Sequence, residues 1–196
     1  MELDYVTNQI RHRATHCMRE RNAFHLFEHG VVTILQQGNG MTKRQVGIVV
    51  VGDTVTVVDA MVPEDAAEPI EINGDTSWAL QAGDRAAAYN VMSRRCVNYL
   101  RENDVHRVIV KASATTRSSA TLALLQSAEL RGVMIASAAS VTSAKTIAKS
   151  HITRHYGDRK VDEYLRDDAF WEAQTTGGRL RKTSREAAMI IIAARG

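Results

Sequence analysis

Aromatic side chains are scarce, at 5% of 196 residues. A platform for stacking nucleic-acid bases needs several such rings on one exposed face, so this composition argues against one. Cysteine is scarcer still: Cys17 and Cys96 stand far apart, and no C-x2-C pair exists. That excludes a C-x2-C zinc motif and says little about disulfides. No apolar run approaches the roughly eighteen residues needed to span a bilayer. No P-loop and no G-x-G-x-x-G is present, so a nucleotide cofactor is not expected. The opening Met1-Glu2-Leu3-Asp4 lacks the basic-then-apolar pattern of a secretory leader, and a cytoplasmic location is expected. There is no repeat, no low-complexity tract and no linker rich in Pro or Ser.

What is present is an aliphatic protein of 44% hydrophobic residues, net charge +3 and pI near 9.0. It can bury a sizeable core, and its mild basicity permits nucleic-acid contact without requiring it. Val6, Ile10, Ala14, Cys17 and Met18 recur at helical spacing, predicting a helix over 3–22. A short strand at 31–35 and a glycine-containing loop at 36–42 follow. The clearest signal is a β-hairpin at 45–60, with β-branched runs on either side of Gly52-Asp53. A third strand is expected at 69–72, a turn at Asn73-Gly74-Asp75 and a helix over 83–103. Then come a buried strand at 108–110, a helix over 117–131, a strand at 133–136, and helices over 142–155 and 161–173. A flexible loop at 175–180 leads to a last helix, 185–194, N-capped by Ser184. An antiparallel start followed by alternating strands and helices predicts an α/β domain with a mixed sheet flanked by helices. Residues 1–42 then form an N-terminal helical extension and 43–196 the main domain.

Three places carry a resemblance to the RNase H-like nucleases of the RuvC type. They are Val46-Gly47-Ile48 with its hairpin, Arg107-Val108-Ile109-Val110-Lys111, and the alanine-rich ending from Thr183 to Ala194. The segment Ser140 to Lys145 also looks like the one before that family's penultimate helix. The resemblance implies an RNase H-like fold and, in active members, clustered carboxylates that bind two Mg²⁺ ions. Position by position, the family's first acid becomes Val49, its second becomes Lys111, and only Glu186 keeps the third. The resemblance therefore implies a pseudo-nuclease, a protein without catalysis or cofactor that acts by binding DNA or RNA, by homo-oligomeric assembly, or both. One alternative is a divergent Mg²⁺- or Mn²⁺-dependent nuclease using Asp59, Glu186 and a further acid. Another is a purely structural subunit that self-associates through its N-terminal helix.

Other residues bear on these readings. Lys111, Arg117, Lys145, Lys149, Arg179, Arg181, Lys182 and Arg185 are the candidates for phosphate contact. Each also reads as an ordinary solvated cation, and Thr115 or Thr116 before Arg117 as an ordinary helix cap. Asp53 reads as a turn residue. His25-Leu26-Phe27-Glu28-His29 spells the H-x-x-E-H pattern of some zinc peptidases. Gly30 shortens any helix there, so a polar face explains His25 and His29 as well as a metal does.

Overall fold

The computed structural model describes residues 41–113 and 121–195. The expected N-terminal helix and strand, His25, His29, Thr115, Thr116 and Arg117 lie outside them.

A six-stranded sheet organises the domain, in the order β5-β4-β1-β2-β3-β6. Strands β1 (Lys43–Val51) and β2 (Thr54–Val62) form the expected hairpin. Gly52 takes φ +57° at the first turn position, where a two-residue hairpin turn favours glycine. Strand β3 (Ile70–Ala79) pairs antiparallel with β2, whereas β4 (Arg107–Lys111) runs parallel to β1. Helix α1 (Arg85–Glu102) makes the crossover, and the Asp84 carboxylate caps its first turn by accepting from Ala87 N at 2.6 Å. Helix α2 (Leu122–Ala139), edge strand β5 (Ser143–Ile147) and helix α3 (Lys149–Tyr156) follow. After α4 (Val161–Arg166), α5 (Asp168–Gln174) and β6 (Thr175–Gly177), a short 3₁₀ turn enters α6 (Arg185–Ala193).

Alternation along the strands divides the core. Val46, Ile48, Val50, Val108 and Val110 point to α1 and α2, where Met92, Cys96, Leu100, Leu130 and Met134 meet them. Val49, Val58, Ala60, Ile109 and Ile147 point to the other face, onto α6 and Ile152 of α3. Burial pushes the Cys96 thiol up to about 12, as expected of an inert core cysteine.

Several local expectations change. The run 133–136 is not a strand but the middle of α2, where Leu130, Met134 and Ala138 are buried at helical spacing. A four-residue apolar run fits either element, and tertiary packing decides. The helix expected over 142–155 opens instead as β5, because β4 has an unpaired edge that takes it in parallel. Asn73-Gly74-Asp75 lies inside β3, where the register shifts opposite Asp59 and Ala60. The loop at 175–180 begins as β6, paired with β3. Asp167 divides the helix expected over 161–173: it ends α4 and caps α5 by accepting from Phe170 N. Ser184 makes no side-chain capping bond to α6.

Candidate functional site

Three elements converge at the carboxyl end of β4. Helix α6 crosses β1 so closely that a Cβ on Gly47 would lie 2.0 Å from the Ala187 carbonyl oxygen. Only glycine permits that approach. It sets Glu186, in the first turn of α6, beside Lys111 at the end of β4. Their Nζ and Oε1 atoms are 2.6 Å apart, and both side chains are about four-fifths buried. Val49, 5% exposed, lies on the same face of β1, one step beyond the paired Ile48 and Val110. Val49, Lys111 and Glu186, predicted to share a site, are therefore together.

Their chemistry is that of an ion pair against an apolar wall. The Glu186 carboxylate sits at the positive end of the α6 dipole and accepts from the Lys111 ammonium. Hard divalent cations need several oxygen ligands, and this arrangement offers one carboxylate already neutralised. The described residues here do not fit Mg²⁺ or Mn²⁺. Among the described residues, no group of three or more His, Cys, Asp and Glu side chains could hold a metal ion.

The pairing of Asp59 with Glu186 is corrected by the fold. Asp59 is fully buried on the opposite face of the sheet. Arg44 grips it in a fork, Nε at 2.9 Å from Oδ1 and Nη2 at 2.8 Å from Oδ2, while Tyr99 Oη donates to Oδ2 at 2.7 Å. Arg44 also donates to Asn103 Oδ1 at 2.9 Å. Burial, with the Asp59 carboxylate beside it, pushes the Tyr99 phenol well above its ordinary range. Sequence reading missed this network, since nothing in the spacing of 44, 59, 99 and 103 announces it. Asp53 is a turn residue as expected, ion-paired with Arg85 at 3.1 Å.

The basic candidates separate into two groups. Lys145 on β5 and Lys149 at the start of α3 are exposed, with Arg154 further along α3. Lys145 shares register with Ile109 and so faces the α6 side of the sheet. Exposed Arg179 follows β6 at the other edge, five strand spacings or about 24 Å away. The remaining tail cations are engaged internally. Arg181 binds Asp75 through Nη2–Oδ1 at 2.6 Å and through its amide at 2.8 Å. Lys182 lies 3.2 Å from Asp168. Arg185 is buried against Asp168 and donates to the Leu165 carbonyl. Arg195 donates to the carbonyls of Ala66 and Glu68. Among the described residues, the phosphate-contact candidates Arg181, Lys182 and Arg185 are thus each paired with a carboxylate, while Arg179 is exposed.

Burial alone would raise the Asp75 pKa, but the bonds from Arg181 hold it below the usual carboxylate value. A carboxyl depressed in the folded state adds stability above its unfolded pKa and loses it as pH falls through the folded one. Asp75→Asn is expected to be less stable than wild type at neutral pH, with the gap closing below about pH 3.9. Denaturant titrations across that range check this; a gap independent of pH would remove Asp75 from the acid response.

Thermus thermophilus RuvC matches with a TM-score of 0.61 and 10% identity, over 76% of this chain and 92% of that one. T. thermophilus RuvC in complex with its Holliday junction substrate gives 0.58 and 11%, over 76% and 91%. The yeast mitochondrial Holliday junction resolvase Ydc2 gives 0.52 and 12%, over 79% of each chain. No family model matches the sequence, and neither does any curated protein. The domain is an α/β fold of the RNase H-like class. Within that class its arrangement is RuvC-like. No helix among the described residues is long and apolar enough to cross a membrane.

Proposed function

We propose that this protein is a pseudo-nuclease that binds nucleic acid without cleaving it. The observation that carries this reading is the Lys111–Glu186 ion pair beside Val49. An ammonium group stands where a hydrolytic metal site on these elements would need a second carboxylate. Two of the structural neighbours are named for Holliday junctions, which makes branched DNA the first substrate to test. Exposed Lys145, on edge strand β5 next to β4, and exposed Lys149, at the start of α3, are the cations proposed to meet a phosphate backbone. Binding of this kind needs no cofactor.

The test is a gel assay with labelled single-stranded, double-stranded and branched DNA and RNA, in EDTA, Mg²⁺ and Mn²⁺. Salt-sensitive shifts without cleavage are expected. Replacing both lysines (Lys145→Glu with Lys149→Glu) should weaken binding and flatten the plot of log affinity against log salt by about 1.8, at roughly 0.9 per lost phosphate contact. Metal-dependent cleavage abolished by Glu186→Ala would overturn the proposal.

A further inference from the structure

We propose a small-oxyanion site of the phosphate class at the opposite end of α6, between the start of β1, the start of β4 and the residues after the helix. A cavity of about 190 Å³ opens there, lined by Lys43, Gln45, Glu64, Arg107 and Arg195. It is roughly one helix length, ~13 Å, from Glu186.

Two observations point to a ligand. Gln45 is 7% exposed, and its Oε1 has no hydrogen-bond partner among the described residues. Arg195 Nε and Nη2 are buried and equally unpartnered, although Nη1 is fixed by the Ala66 and Glu68 carbonyls. Both side chains line one cavity and do not satisfy each other. Buried donors and acceptors are normally paired, and an unpaired one costs about 1–3 kcal/mol.

Electrostatics set the sign of the ligand. Gln45 and Arg107 are register partners on adjacent parallel strands, so their side chains share a face. Lys43 is two residues before Gln45 and lies on that face too. Three cations and Glu64, which is 4.0 Å from Lys43, line the cavity, while Asp65 and Glu68 lie close enough to act on Arg195 from outside that lining. The carbonyl end of α6 adds only about half a negative charge. Burial lowers the Arg195 pKa, and the nearby Tyr156, Asp65 and Glu68 offset this only in part. A tetrahedral oxyanion would accept from Arg195, Arg107 and Lys43. A protonated phosphate oxygen can donate to Gln45 Oε1, or the amide can turn to donate Nε2–H.

The experiment titrates the full chain with inorganic phosphate, against sodium chloride of equal ionic strength, and follows backbone amides by NMR. Saturable shifts at Lys43, Gln45, Arg107 and Arg195 are expected, with a phosphate-specific rise in Tm. Arg107→Gln with Lys43→Gln should bind about tenfold or more weakly, as loss of charge-assisted bonds implies. A short single-stranded oligonucleotide forms the second arm. Perturbation of the same amides by the oligonucleotide alone would make the phosphate a nucleic-acid backbone group, whereas perturbation by inorganic phosphate makes it a free ion. Shifts that follow ionic strength only, or that survive unchanged in the double variant, would overturn the site. The Lys145→Glu, Lys149→Glu protein should keep the response, which separates this site from the nucleic-acid reading.

Discussion

Arg44→Ala is expected to destabilise the protein by about 3–5 kcal/mol, the usual effect of removing one partner from a buried ion pair. Asp59 is fully buried, while the Arg44 side chain is 27% exposed. Removing the arginine therefore leaves a carboxylate inside the core with only the Tyr99 hydroxyl to bind it. Removing the acid leaves a cation that still reaches water and Asn103, so Asp59→Ala should be the milder change. In a domain of this size the arginine loss corresponds to roughly 6–20 °C in Tm. Replacing both residues by apolar ones, Arg44→Met with Asp59→Leu, should recover much of it, because neither charge is then stranded. Thermal unfolding of the four proteins checks this. Equal losses in the two single alanine variants would mean that burial does not decide the energetics of the pair.

The second large effect is at Gly47. Gly47→Ala places a methyl group 2.0 Å from the Ala187 carbonyl oxygen, 2.9 Å from its carbon and 3.0 Å from Ile191 Cγ1. Two of these neighbours are backbone atoms and cannot rotate away, so α6 must lift from β1. Overpacking costs about 1–3 kcal/mol and occasionally more, and this contact belongs at the upper end. A shift of α6 also separates Glu186 from Lys111. Gly132→Ala is the control. Nothing lies within 4 Å of a Cβ at Gly132 in α2, and alanine there should stabilise by about 0.4–1 kcal/mol. If the two substitutions have similar effects, close helix–strand contact is not what Gly47 supplies.

Much of the architecture is legible without coordinates. The hairpin, α1, β4 and α6 follow from strong periodicity, β-branched runs and Gly52-Asp53. The grouping of Val49, Lys111 and Glu186 rests on the RuvC-type resemblance, which assigns them to that family's three acid positions, and not on periodicity. The failures lie where local pattern is ambiguous. Residues 133–136 satisfy a strand and a helix equally until Leu130 and Ala138 are seen buried on the same stripe. Strand β5 and strand β6 exist because sheet edges were available to pair with them, which is a property of the assembled sheet. Arg181 and Arg185 read as candidates for phosphate contact or as solvated cations, but they are engaged by Asp75 and Asp168, remote in sequence. Sequence gives the number of charges and not their partners, since ion pairing depends on distances that only the packed chain defines.

The amino-acid sequence by itself determined an aliphatic α/β domain, since helix and strand periodicity needs no long-range information; the replacement of carboxylates at Val49 and Lys111 is what the resemblance implies. Only the tertiary structure decided that Lys111 neutralises Glu186, that Asp59 is sealed with Arg44 on the far face, and that Gln45 and Arg195 share a cavity. Each of those depends on which face of the sheet a residue takes and which remote segment covers it, and that is settled by packing.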